Sequence, residues 1–69
     1  MKDEIINNIK KHKQLLEIDN SQLDILIYYI EQYFTTDKPT KHGLIDYLLH
    51  NSDNLELGNS QVDLLIDLI

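Results

Sequence analysis

Residues 16–27 read LEIDNSQLDILI and residues 55–66 read LELGNSQVDLLI, ungapped and 39 positions apart, with eight identities and three exchanges among aliphatic residues. A fixed internal period identifies the building block of a fold more reliably than local propensity does. The chain therefore reads as a duplicated unit in a single domain, 1–69, with internal repeats over about 3–34 and 42–69 and a linker over about 35–39.

Working outward from the repeated stretch, the residues before it carry a helical period. Ile5, Ile6, Ile9 and Leu16 mark one side of a segment in the first unit, and Leu44, Ile45, Leu48 and Leu55 mark its counterpart. Asp19-Asn20 and Gly58-Asn59 are turn formers that tolerate a left-handed backbone and end these segments. Ser21 and Ser60 then read as N-caps of two further helices, each with an aspartate three residues on, Asp24 and Asp63, in a shortened capping box. The helix from Ser21 runs to about Phe34 and is apolar on more than one face, which suits a central position. Pro39 suits the first turn of a third helix ending near Asn51, and the fourth starts at Ser60. The expected fold is all-α: four short helices, arranged as two helix-connector-helix units of period 39 packed in one small bundle.

Leu16 and Ile18, like Leu55 and Leu57, alternate around a glutamate that should be exposed. The two connectors could lie side by side about a pseudo-two-fold axis. Paired EF-hands have that arrangement, but a calcium loop starting at Asp53 would place Leu55, Leu57 and Leu64 where oxygen ligands are required.

Size and composition narrow the function. A domain of 69 residues buries only about 60% of the surface its unfolded chain exposes, and with no cysteine it has no disulfide or thiolate zinc site to compensate. The absence of cysteine and of a signal-like N-terminus predicts a cytoplasmic protein. The longest apolar run, Ile25 to Ile30, is far short of the roughly 18 residues a membrane span requires, so no membrane partner is expected. Twelve acids against six lysines give a net charge of −6, and Gly43 to Ile69 holds five acids and no lysine or arginine. Such a surface repels nucleic acid and favours a basic protein partner.

Catalytic and metal chemistry find little support. His42, Asp46 and His50 recur every four residues and could share a helix face, but without the glutamate of HExxH. There is no glycine-rich phosphate loop, and the repeat makes Asp24 and Asp63 helix-start residues before it makes them an acid and a base. The expectation is a protein with no enzymatic activity, no metal and no cofactor. One stretch, IDNSQLDILIYYIEQYFTTDKP, resembles the region of acyl carrier proteins around their phosphopantetheine serine, where Asp-Ser-Leu precedes an acidic amphipathic helix. The resemblance implies modification at Ser21. Asn20 and Gln22 depart from the expected Asp and Leu neighbours, only 20 residues precede the serine, and Ser60 repeats its context.

Differences between the units say more about function than their identities. At the 39-residue offset Tyr28 stands against Asp67, Tyr47 against Asn8 and Leu49 against Lys10. Each is an apolar or aromatic side chain where the sister unit has a polar one. Tyrosine gives large contact area at low conformational cost, so Tyr28, Tyr47 and Leu49 are the expected partner-binding residues, aided by Asp46, Asp53, Asp63 and Asp67. The expected function is that of a non-catalytic acidic protein-binding module: a small inhibitor, immunity protein or adaptor engaging a basic protein surface. The alternatives are a homodimeric self-assembly module and an acyl-carrier-like protein.

Overall fold

The computed structural model describes residues 1–69 as five helices and no strand: α1 (Lys2–Lys11), α2 (Lys13–Leu16), α3 (Asn20–Tyr33), α4 (Lys41–His50) and α5 (Asn59–Leu68). In α1, Asp3 and Glu4 occupy the first turn and Lys10 and Lys11 the last, so both ends complement the helix dipole. Ile5, Ile6 and Ile9 are its buried side. The fifth helix is a correction to the expected four, because the first segment breaks at His12, where the backbone leaves the helical region at φ −108°, ψ 22°. The His12 ring Nδ1–H donates to the Asn8 carbonyl oxygen at 2.8 Å, a second bond to a carbonyl that also accepts the His12 backbone N–H at 3.2 Å. In the other half KQLL gives way to SDNL, residues 52–55, and only turns form there. Serine, aspartate and asparagine offer the backbone competing hydrogen bonds, which disfavours a helix of one turn.

At two pairs of positions 39 apart the backbone nevertheless takes closely similar angles. Asn51, in the place of His12, has φ −111° and ψ 14°, and its side-chain amide donates to the Tyr47 carbonyl oxygen at 2.7 Å. Glu17 and Glu56 are both left-handed, at φ 56° and 57°. These two glutamates, and not the Asp19-Asn20 and Gly58-Asn59 pairs, are the reversal points; Gly58 has φ −77°. The N-caps are also corrected. Asp19 caps α3, its carboxylate accepting from the Gln22 backbone N–H at 2.8 Å while the Gln22 side-chain oxygen accepts from the Asp19 N–H at 3.0 Å, a complete capping box. Gly58 starts α5 with half of that box, since it has no side chain to accept and only the Gln61 oxygen takes its N–H, at 2.8 Å. Ser21 and Ser60 are instead the second residues of their helices, within the first turn, and Asp24 and Asp63 lie beyond the capping-box position.

Eleven aliphatic side chains form the core: Ile5, Ile6, Ile9, Leu16, Ile18, Leu26, Ile30, Leu44, Leu48, Leu55 and Leu65. The connectors contribute Leu16, Ile18 and Leu55, while Glu17 and Glu56 between their apolar neighbours are exposed. Leu23, Ile27 and Ile69 pack on this core while half-buried, and Val62 and Ile66 are half-buried. Helix α1 packs on α3 and α5, α2 on α5, and α3 on α4, so α1, α3 and α5 each join two others.

The connectors are tied across the molecule. The Gln22 side-chain amide donates to the Glu56 carbonyl oxygen at 3.1 Å, and the Gln61 amide donates to the carbonyl oxygens of Leu16 and Glu17 at 2.9 and 3.2 Å. A left-handed residue after a helix leaves carbonyls outside the helical ladder, and the two glutamines satisfy them from the opposite half.

Between the halves, the turn from Phe34 to Thr40 places Lys38 at φ 53°. Pro39 precedes the cap of α4 instead of entering its first turn, and Thr40 is that cap, its hydroxyl accepting from the Gly43 N–H at 2.9 Å. No helix is long and apolar enough to cross a membrane.

Candidate functional site

The five aromatic residues of the chain form one continuous array on α3 and α4. Leu26 and Ile30 define the buried side of α3. Tyr29 and Tyr33 each follow one of these by three residues, so they stand on its edge, where α4 packs. Tyr47 of α4 inserts between them, its ring centroid 6.1 Å from Tyr29 and 5.6 Å from Tyr33. Phe34 closes one end of the array, edge-on to Tyr33 at 5.5 Å, and Tyr28 closes the other, edge-on to Tyr29 at 6.0 Å. These separations and tilts are those that favour attraction between ring edges and faces.

Tyr33 does more than pack. Its hydroxyl accepts the Thr40 backbone N–H at 3.1 Å, which fixes the start of α4 against the end of α3. The ring reaches that position only because residue 43 is glycine: a Cβ there would overlap the Tyr33 hydroxyl. A glycine inside a helix, which costs about 1 kcal/mol against alanine, is the signal that could have found this contact.

Tyr28 is the outward end of the array and is 59% exposed. Two residues beyond Leu26, it lies about 200° around the helix from the core-facing side. Ile25, one turn earlier, is 38% exposed and continues the apolar strip. Asp24 and Glu31 flank the strip, and α3 contains no lysine or arginine. The exposed face of α3 is thus an apolar ridge beside two carboxylates.

The other sequence-derived candidates do not all join Tyr28. Tyr47 is half-buried, wedged in the array and packed on the core. Leu49 is 42% exposed but follows Tyr47 by two residues, so it faces about 200° away on α4. It shares its side with Asp46 and His42, whose ring Nε2 lies 3.7 Å from the Asp46 carboxylate. Asp53 is exposed in the turns before α5, and Asp63 and Asp67 are exposed one turn apart on α5. The four aspartates are thus spread over three elements: Asp46 on α4, Asp53 in the turns, and Asp63 and Asp67 on α5. The His50 Nδ1–H is committed to the Asp46 carbonyl oxygen at 2.7 Å, and no three of the histidine and carboxylate side chains converge on a point that could hold a metal ion. Ser21 is exposed, and its hydroxyl plays no part in the cap.

One open cleft of about 360 Å³ lies elsewhere, lined by Glu4, Ile5, Asn8, Lys41, Leu68 and Ile69. The Asn8 amide crosses its floor to the Leu68 carbonyl oxygen at 2.9 Å and ties α1 to the end of α5.

No protein-family model matches the chain, and neither a curated protein nor a solved structure matches it.

Proposed function

We propose that this chain is a non-catalytic acidic module, a small cytoplasmic inhibitor, immunity protein or adaptor, that engages a basic protein surface. The observation that carries this reading is Tyr28, 59% exposed, with Ile25 one turn away and Asp24 and Glu31 beside it. A tyrosine backed by a rigid ring array has little conformational freedom left to lose on binding, and exposed aromatic anchors supply much of the energy of protein interfaces. Asp24 and Glu31 beside it, with the more distant carboxylates of Asp46, Asp53, Asp63 and Asp67, bring a cationic partner in through long-range attraction. Tyr47 supports this face from behind, and Leu49 marks a separate apolar point on α4.

The scaffold is read as two copies of one helix-connector-helix unit at a period of 39. The paired backbone angles at His12 and Asn51 and at Glu17 and Glu56 support that reading. On this view one copy has kept a polar residue, Asp67, where the other acquired Tyr28 for binding.

The deciding experiment is capture from the native cell with wild-type protein and with Tyr28→Asp side by side. A partner retained by the wild type, released by salt and absent from the variant supports the reading. Equal recovery by both removes Tyr28 from the interface. The exposed Ile25 and Tyr28 ridge also favours a second reading, self-association of two copies. Equilibrium sedimentation at micromolar concentration separates the two, since a stable dimer through Tyr28 leaves no such surface for a foreign partner.

A further inference from the structure

We infer that each half of this chain is a binding partner for the other, and that a second copy of the chain can supply either half through an exchange hinged at residues 35–39. The inference rests on the two-unit reading of the scaffold. Helix α1 packs on α5 and α4 packs on α3. Shifting by 39 residues converts the first of these pairs into the second, so the pairing across the halves obeys a two-fold relation. The glutamine ties obey it as well: Gln22 to the Glu56 carbonyl oxygen and Gln61 to that of Glu17 are the same bond made in opposite directions. Asn8 adds a further bond from the first half to the second, at Leu68.

These contacts run between the halves, and the core they enclose is drawn from both. Leu16, Leu26 and Ile30 come from one half, and Leu44, Leu55 and Leu65 from the other. Without the other half, each would leave its connector carbonyls to water and its share of the core exposed. A surface built for an intramolecular copy of itself fits an intermolecular copy equally well.

The hinge is suited to opening. It is short, it places Lys38 in a left-handed conformation that a lysine adopts at a cost, and Thr35 and Thr36 turn their hydroxyls back on the Gln32 and Tyr33 carbonyl oxygens at 2.7 Å each. An extended hinge relieves the strain at Lys38. Within one chain the linked half has an effective concentration on the order of millimolar, so the closed monomer prevails in dilute solution. Exchange becomes dominant when the intramolecular pairing is removed.

Two full-length variants test this. Leu26→Asp places a charge in the core contributed by the first half, and Leu65→Asp does the same in the second. Each alone should lose its far-UV helical signal. Mixed in equal amounts at high concentration they can form a dimer with one sound unit, built from the unaltered first half of one chain and the unaltered second half of the other. The mixture should recover about half the wild-type ellipticity and sediment as a dimer; a spectrum equal to the average of the separate components overturns the inference. In a second arm, deleting Thr36 to Lys38 prevents α4 from folding back on its own α3. A helical dimer is expected, and a monomer, folded or unfolded, overturns the proposal. Failure in either arm leaves the role of Tyr28 standing, because that role is tested on the intact chain.

Discussion

Gln22 and Gln61 each perform two tasks with one side chain. The oxygen of each accepts the N–H of the residue that starts its helix, at 3.0 Å for Asp19 and 2.8 Å for Gly58, and the nitrogen of each reaches a connector carbonyl in the opposite half. Helix initiation is thereby coupled to the joining of the halves.

Replacing Gln61 by alanine should cost more than replacing Gln22. Gln61 donates to two carbonyl oxygens, Leu16 and Glu17, one of these bonds part-buried, whereas Gln22 donates to one exposed carbonyl. The expected losses are about 1–2 kcal/mol and about 0.5–1 kcal/mol. Urea denaturation of the two variants checks the order, and a larger loss at Gln22 would contradict it.

The caps can be separated by substitution. Asp19→Ala should cost about 0.5–2 kcal/mol while Ser21→Ala stays close to wild type. Gly58→Asp should stabilise the protein by about 0.5–1 kcal/mol, because it supplies the acceptor α5 lacks and stiffens the unfolded chain. The backbone there, φ −77° and ψ 167°, suits any residue, and an added Cβ meets only the Gln61 oxygen, at an ordinary 3.5 Å.

At the left-handed positions the sign reverses. Glu17→Gly and Glu56→Gly should each stabilise by about 0.5–1 kcal/mol, since only glycine takes that backbone without strain. For a domain of this size the melting temperature should rise by about 4–8 °C per kcal/mol. Glu17→Val should lower it.

Gly43→Ala should destabilise by about 1–3 kcal/mol despite the better helix propensity of alanine, because the new methyl displaces the Tyr33 ring. In a Tyr33→Phe background the overlapping hydroxyl is gone, and the same substitution should cost distinctly less. A double-mutant cycle measures that difference, and additivity within about 0.5 kcal/mol would show that the two residues do not collide.

Surface and array residues should part company in stability measurements. Tyr28→Asp and Leu49→Lys remove exposed side chains and should shift stability by no more than about 0.5 kcal/mol. Tyr47→Asn removes the ring between Tyr29 and Tyr33 and should cost about 2–4 kcal/mol. Thermal unfolding of the three single variants provides the check.

What could be read in the sequence was whatever depends on neighbours along the chain. The apolar stripes gave the helices, and the alternation around Glu17 and Glu56 gave the burial of Leu16, Ile18 and Leu55. Aspartate, asparagine and serine stand in succession at 19–21 and all three residue types can cap, so residue type alone does not separate Asp19 from Ser21. Gln22, three residues after Asp19, was the deciding signal, and Gln61 stands in the same relation to Gly58. The helix break at His12 has no proline or glycine to mark it, and the left-handed backbone falls on Glu17 and Glu56 and not on glycine or asparagine, the residues that usually signal it. Comparing the halves singled out Tyr28, Leu49 and Tyr47 together, yet Tyr47 is held inside the array by Tyr29 and Tyr33, contacts that exist only once α4 has packed on α3.

The ring array also divides the molecule optically. There is no tryptophan, and all four tyrosines belong to the array carried by α3 and α4, so ultraviolet fluorescence and near-UV dichroism report on that side, while the packing of α1 on α5 contributes no chromophore. A near-UV signal lost ahead of the far-UV helical signal would time the opening of one side of the molecule with no label attached, and a ligand that perturbs tyrosine emission would reveal by that fact alone which side it had reached.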